Sequence, residues 1–343
     1  MNVQPSYLNV AKDSNTLNAE EVSLAIEYAF GHRKVSIQEF LKRYSIPTTG
    51  KKEKLRDVVV KAIKDGKIAK GDIVAFLDSL EGWGNQHIYL FTSPENVMKK
   101  WNTEAKALKI VKAAGFENLF NCRRPLVLPD EPTLASIEWS KKRVRFVWID
   151  KREYQERVEA EDEVSEDGQI LYKAYRNQVT RGLTSFAWNL VSGEAALMIQ
   201  SLPRGEKYKE VREVFEDELS AFVDLEDFKR SRITKAIKKL EGSKEALNRK
   251  IELATRTGAI AAYTSKGRKT DAYDDNDLRK SRTALGERTT SRSGNFYFQP
   301  TSKGLDRVIH VKLYTTDQRV GLFGECSESE VLYVLSRIRQ HIK

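Results

Sequence analysis

Three prolines fall within the ten residues RRPLVLPDEP at positions 123–132, and they divide this chain into regions of different periodicity. Proline has no amide donor and blocks helix interiors, so the segment reads as an extended linker. Before it, apolar residues recur every three to four positions. After it, they alternate, the period of a half-buried strand. The switch predicts an α+β protein: an all-helical N-terminal domain, then an antiparallel β-rich mixed domain with helices. A length of 343 residues agrees with two or three domains rather than one core.

Residues 1–18 are polar and read as a flexible arm, and residues 19–122 as the helical domain. Val22, Ala25, Ile26, Ala29 and Phe30 share one helical face, with Asn18 as N-cap and Glu21 completing a capping box. Ile37, Phe40, Leu41 and Tyr44 form the next face, and Leu55, Val58, Val59, Ala62 and Ile63 a third. Ile73, Phe76, Leu77 and Leu80 form a fourth. Two shorter helices are expected after Pro94 and over 104–114. Past the linker, 133–343 reads as the mixed β/α domain. Strands are expected at 133–139, 143–149, 169–176, 183–191 and 194–202, with an acid-rich solvated loop or helix end at 153–167. Helices are expected at 207–223 and 226–240, and 247–262 fits strand or helix. Residues 264–294 are polar and basic and read as a long mobile loop. Strands at 295–299, 306–314 and 319–323 and a helix at 328–341 complete the pattern.

Fifty-nine Lys and Arg against 49 Asp and Glu give a net charge of +10. Such a balance favours a polyanionic partner (DNA, RNA or an acidic membrane surface), with simple solubility as the plainer reading. The two cysteines, Cys122 and Cys326, lie far apart and outside any C-x-x-C pair, which favours a reducing compartment. The first residues lack the basic start and apolar run of a signal peptide. No stretch approaches the roughly 18 apolar residues of a membrane span. The expectation is an intracellular protein, cytoplasmic or nucleoid/nuclear, with no membrane partner.

The sharpest functional signal lies at 36–68. Two amphipathic helices flank the turn Ile46-Pro47-Thr48-Thr49-Gly50, and the second opens on Lys51, Lys52 and Lys54. A glycine turn before a basic helix start aims backbone N–H groups, the positive end of the helix dipole and full charges at one anion. With Phe40-Leu41 closing the first helix and Leu55 in the second, the segment resembles the SAP motif, a helix–turn–helix module that binds DNA. The resemblance covers about a tenth of the chain, and here the module is embedded in a larger helical domain. It implies DNA contact through Thr48, Thr49, Gly50, Lys51, Lys52 and Lys54. The wider layout is similar to the centromere protein N family, in which a helical domain precedes a β-rich one and the protein reads DNA and a nucleosome. The basic helix, apolar helix and aromatic tail over 51–91 (Trp83, Tyr89, Phe91) carry that likeness, and it assigns no further site residues.

Three other basic elements are candidates. In WSKKRVRFVW, Lys141, Lys142, Arg143 and Arg145 interleave with Trp139, Phe146 and Trp148. Cations neutralise phosphates and rings stack on bases, although strand alternation sends the aromatics to the core and leaves an arginine face. Lys229, Arg230, Arg232, Lys235, Lys238 and Lys239 line the outer face of the helix expected at 226–240. The mobile loop carries Lys266, Arg268, Lys269, Arg279, Lys280, Arg282, Arg288 and Arg292, a composition that folds onto nucleic acids.

Catalytic chemistry is harder to place. The four histidines are isolated, and no phosphate-cradling or nucleophile motif occurs. The Asp274, Asp275, Asn276, Asp277 cluster and the spaced acids Glu138 and Asp150 are the only groups suited to a metal-dependent nuclease. No cofactor is implied. The leading expectation is a non-enzymatic DNA-binding subunit or scaffold that contacts duplex DNA mainly through phosphates, with protein partners in a larger complex. A metal-dependent nuclease and an RNA-binding protein are the alternatives.

Overall fold

The computed structural model describes residues 17–241, 243, 245–265, 271–285, 289–301 and 304–342. It begins with a helical module of α1 (Ala19–Gly31), α2 (Lys34–Arg43), α3 (Lys52–Lys64) and α4 (Lys70–Glu81). The Asn18 side chain accepts the Glu21 N–H at 2.8 Å, and Glu21 accepts the Asn18 N–H at 3.0 Å. This is the reciprocal cap expected of N-x-x-E. The apolar stripes meet in one core around Ile26, Ile37, Leu41, Leu55, Val59 and Leu77. Phe40 stacks on Phe76 with ring centroids 4.2 Å apart.

Within 19–122 one segment departs from the helical expectation. Residues Gln86–Thr92 form β1, followed by α5 (Glu95–Trp101) and α6 (Glu104–Ala113). β1 is a central strand buried on both faces. Tyr89 and Phe91 enter one core, and Ile88 and Leu90 enter the other. His87 and Tyr89 therefore belong to the sheet rather than to the helical module. A strand covered on both sides loses the alternation that would reveal it.

Beyond the linker come β2 (Thr133–Trp139), β3 (Arg143–Arg157), β4 (Glu163–Val164), β5 (Leu171–Tyr172), β6 (Tyr175–Asn189) and β7 (Glu194–Gln200). α7 (Tyr208–Leu219), β8 (Lys229–Arg230), α8 (Thr234–Glu241), β9 (Ala246–Ala254) and β10 (Ile260–Thr264) follow. The chain closes with α9 (Asn276–Leu285), β11 (Thr290–Phe298), β12 (Ile309–Tyr314), β13 (Arg319–Phe323) and α10 (Glu328–Ile342). One antiparallel sheet runs in the order β10-β9-β11-β12-β13-β1-β7-β6-β3-β2, with β8 attached to β1, and β4 pairs β5 separately. α5, α6 and α7 cover one face over a core of Trp101, Phe146, Trp148, Trp188 and Phe215. α8 and α10 cover the opposite face, where Ile237 and Val334 pack on Val311 and Leu322. The protein is thus α+β, as expected. No described helix is long and apolar enough to cross a membrane.

Three expected segments differ. The acid-rich stretch is not simply a loop, because β3 continues to Arg157 and pairs with β6 as far as Arg157 opposite Tyr175. The helix expected over 226–240 begins only at Thr234. Lys229 and Arg230 instead pair with Thr92 and Phe91, and Phe228 is buried in the core. Sheet pairing overrides local helix preference there. The described part of the expected loop 264–294 holds α9 and the start of β11. Asp275 caps α9 by accepting the Asp277 and Leu278 N–H groups, both at 3.0 Å.

Polar contacts join the helical module to the sheet. Arg181 on β6 pairs with Glu81 at the end of α4 at 3.1 Å, both almost completely buried. Glu325 accepts the Arg33 N–H at 2.6 Å and a hydrogen bond from the Ser36 hydroxyl.

Candidate nucleic-acid interface

The turn between α2 and α3 is built from backbone geometry that its residues permit. Ile46 is buried, and its N–H donates to the Leu41 carbonyl at 3.1 Å. Gln38 Nε2 donates to the Thr48 carbonyl at 2.8 Å and fixes the far side of the turn. Gly50 has φ 121, a conformation reserved for glycine. Lys51 is the N-cap of α3, and an ammonium side chain has no lone pair to accept the first-turn N–H groups. Those donors stay open to an outside acceptor. Thr49, Gly50, Lys51 and Lys54 are exposed, while Thr48 and Lys52 are half-buried. Lys52 Nζ donates to the Phe30 carbonyl at 3.1 Å, which ties the helix start to α1.

The hairpin candidates divide. Lys141 and Lys142 are exposed at the β2–β3 tip, and Arg143 pairs with Glu328 of α10. Phe146 and Trp148 lie in the core, on the face opposite the arginines. Arg145 is a correction: it is only 3% exposed. Its guanidinium lies 4.8 Å from the Trp83 ring centroid and donates to the Gly82 carbonyl at 3.3 Å. The arginine face of β3 packs under the end of α4, so Arg145 is a structural cation. Burial, with the nearby Arg124 charge, lowers its pKa to about 10, and it stays charged at neutral pH.

The basic cluster at 229–239 is also split. Arg230 is half-buried, 5.2 Å from the Tyr89 ring centroid, and donates to the Asp317 carbonyl at 2.7 Å. It is not part of an outer helical face. Lys229 is exposed on β8 and Arg232 is exposed before α8, while Lys235, Lys238 and Lys239 are exposed on α8 itself. Of the loop candidates, Lys266, Arg268, Lys269 and Arg288 lie outside the described residues. Arg279 is exposed and donates to Asn276 Oδ1 at 2.7 Å, and Lys280 lies 3.8 Å from Asp277. Arg282 pairs with the buried Glu241 at 2.7 Å and sits 5.2 Å from the Tyr273 ring centroid. Arg292 is exposed on β11. The fold brings two candidate groups together here: Lys238 of α8 and Arg279 and Arg282 of α9 line one polar cleft of about 700 Å3.

Four of the acids considered for catalysis, Glu138, Asp150, Asp275 and Asp277, have structural partners. Both Asp150 oxygens accept from Arg152, at 2.8 and 3.1 Å. Glu138 pairs with Arg124 at 3.3 Å. Asp275 caps α9, and Asp277 faces Lys280. Among the described residues, no group of three His, Cys, Asp or Glu side chains is placed to hold a metal ion.

One surface escaped the sequence reading: the partly exposed face of β9, β11, β12 and β13, with Arg249, Tyr297, His310, Lys312 and Phe323. Its signal is alternation. In Ile309-His310-Val311-Lys312-Leu313-Tyr314, every second residue is polar or aromatic and lies on the face away from the core. No protein-family model and no curated protein matches this chain.

Proposed function

We propose that this chain is an intracellular, non-enzymatic DNA-binding protein, a subunit or scaffold that holds duplex DNA mainly through its phosphates. The observation that carries the reading is the start of α3. An uncapped helix N-terminus lies behind the Gly50 turn, with Lys51 and Lys54 exposed beside it. Backbone donors, the helix dipole and the Lys51 and Lys54 ammonium groups favour an anion there, with Glu53 the one acid of the first turn. The SAP-like pattern of the segment supports the same contact. Lys141 and Lys142 at the hairpin tip and the cleft between α8 and α9 supply further cations, so the α3 start is one anchor of a longer phosphate track. Such a protein fits a chromosome-associated or genome-defence assembly with other protein subunits.

The test is duplex binding across salt, with magnesium or manganese present. Log affinity falls with log salt by about 0.9 for each phosphate neutralised. Reversing the charge of Lys51, Lys52 and Lys54 together therefore flattens the slope by about 2 to 3 and weakens binding at low salt. Unchanged affinity makes the turn purely structural. Duplex cleavage abolished by a chelator replaces the scaffold with a nuclease.

A further inference from the structure

β3 and β6 run past their sheet neighbours as a two-stranded arm. β2 pairs β3 only up to Ile149, and β7 pairs β6 only from Thr184. β3 and β6 go on pairing with each other as far as Arg157 opposite Tyr175. Seven residues past Asp150, at about 3.3 Å each, carry the ribbon about 23 Å further. β4 and β5 pair only with each other and form its tip. No residue from Glu153 to Thr180 is buried.

The tip is held together by its own polar contacts. Arg157 pairs with Asp162 and donates to the Ala174 carbonyl at 3.0 Å, and Asp162 accepts the Ala174 N–H at 3.0 Å. The Ser165 hydroxyl accepts the Ile170 N–H at 2.9 Å and closes the turn. Yet Val164, Ile170, Leu171, Tyr172 and Tyr175 are each more than half exposed. With Tyr154 and Val179, the arm holds seven of the sixteen exposed large apolar side chains among the described residues, a concentration that marks an interaction site. Charge sets the arm apart as well. Residues 153–180 carry eight acids and three basic side chains, a net −5 in a chain of net +10, so the remainder is +15. DNA phosphates repel such an arm, and a basic protein surface attracts it.

This chain has a surface of that kind toward the end of α3. An apolar slot of about 240 Å3 opens between α1 and α3, with Val22, Ile26, Val60 and Ile63 as walls and the exposed Lys64 and Lys70 beside them. Glu20, Glu27 and Asp65 are nearby in the chain but do not line it. A cavity of about 150 Å3 holds a benzene ring, so the slot admits one aromatic or two aliphatic side chains. Val164 and Leu171 are cross-strand partners on one face of the tip and make a plug of that kind. Glu163, Glu166 and Asp167 of the same hairpin are exposed and can meet the lysines. Lys64 lies about 18 Å along α3 from Lys52, so the slot is clear of the helix start.

We infer that the chain self-associates head to tail, with the acidic, apolar tip of one copy seated in the lysine-rimmed slot of the next. The occupant is a second copy because one chain carries both halves of a complementary pair: an open apolar slot with basic neighbours and an uncovered apolar plug with acidic ones. The contact is heterologous, so it closes into a ring or runs on as a filament. It goes beyond the DNA-binding reading and does not depend on it.

The test is sedimentation of the full chain from about 1 μM to 1 mM, the range of weak contacts. The mass is expected to rise above the 39.3 kDa of one chain as concentration increases, and to fall back as salt screens the charges. Val164→Ser with Leu171→Ser is expected to weaken self-association about a hundredfold, because two side chains lose their burial. Both are exposed within one chain, so the melting temperature is expected to stay at the wild-type value. Lys64→Glu with Lys70→Glu sets like charges against the tip and is expected to weaken association by about tenfold or more. A mixture of the two variants retains one intact tip and one intact slot, so it is expected to reach twice the chain mass and no more. A wild-type chain that stays at one chain mass throughout overturns the inference. So does association that survives the tip variant, or a mixture no heavier than either variant alone. Association lost in the tip variant but kept in the slot variant overturns it too, whether two tips then meet each other or the slot takes residues 1–16 of its own chain.

Discussion

The Glu81–Arg181 pair joins α4, the proline linker and β6, and it makes a sharp energetic prediction. Arg181 Nη1 lies 3.1 Å from Glu81 Oε2, and Nη2 donates to the Pro125 carbonyl at 2.9 Å. The two side chains are 1% and 3% exposed. Breaking such a pair from one side costs about 3–5 kcal/mol, because the survivor is a buried, uncompensated charge. The two sides are not equivalent. A guanidinium cannot shed its proton, so Glu81→Leu is expected to cost the full amount. A stranded carboxyl can neutralise itself. Burial already raises the Glu81 pKa, against the lowering pull of Arg181. Arg181→Met is therefore expected to cost less and to regain stability as pH falls from 7 toward 5. A group with a raised folded pKa favours the native state below that pKa. The double variant Glu81→Leu/Arg181→Met leaves only the Pro125 carbonyl orphaned, about 1–3 kcal/mol. Apolar replacement of a buried pair offsets that by a similar amount. Urea unfolding read by tryptophan emission measures the cycle. A Glu81→Leu cost below about 1 kcal/mol, or a double variant no more stable than the worse single, refutes the reasoning.

Other perturbations test separate parts of the structure. Gly50→Ala forces a side chain into φ 121 and sets a Cβ 2.8 Å from Lys54 Cδ. A loss of about 1–3 kcal/mol in urea unfolding is expected, together with weaker duplex binding. His87 is pushed down to about 3, first by burial and then by Arg319 and Lys312. The unfolded chain takes up that proton near pH 6.5, so stability is full above 6.5 and drains as pH falls toward 3. His87→Gln is expected to flatten that limb of the unfolding midpoint against pH. Glu325 behaves similarly at lower pH. Burial raises its pKa, but hydrogen bonds from His32, Ser36 and the Arg33 N–H outweigh it and hold the carboxyl at about 2. Its contribution is complete above pH 4.5 and is lost as pH falls to about 2, and Glu325→Gln is expected to remove that acid transition.

Local chemistry was legible in the sequence, and distant pairing was not. Asn18 with Glu21, and the stripes of α1 to α4, need only neighbours a turn or two away, so periodicity found them. β1 hid because its partners β7 and β13 lie far along the chain and because both its faces are buried, Tyr89 and Phe91 in one core and Ile88 and Leu90 in the other. Lys229 and Arg230 look helical until Thr92 and Phe91 claim their backbone groups. α9 has no buried residue among its ten, so it offered no apolar stripe. Its Asp275 cap and the Arg282–Glu241 pair identify it only in three dimensions. The same division runs through the candidate sites. The Gly50 turn is contiguous and was readable. The Tyr297–His310–Phe323 row exists only once β11, β12 and β13 are in register.

The arginines and lysines also separate by role, and the separation predicts how selective the protein is. Arg124, Arg145, Arg152, Arg181, Arg212 and Arg339 are all buried. Arg339 donates to the Phe91 and Ala195 carbonyls at 3.1 and 2.6 Å, and Arg152 to the Gln200 and Ser201 carbonyls at 2.7 and 3.1 Å. These planar forks organise the interior. The exposed candidates are mostly lysines: Lys51, Lys54, Lys141, Lys142, Lys235, Lys238 and Lys239. An ammonium on a flexible stem acts as a point charge toward phosphate, whereas bidentate base reading falls chiefly to arginine, asparagine and glutamine. Each specific base contact is worth about 1–3 kcal/mol of discrimination, and phosphate contacts carry none. Two duplexes of equal length and unrelated sequence are therefore expected to bind within about threefold of each other at matched salt, because lysines predominate among the exposed candidate cations. A preference of about a hundredfold would require roughly 2.7 kcal/mol of base reading, and that result would assign the reading to the exposed arginines, Arg279 in the α8–α9 cleft and Arg232 before α8.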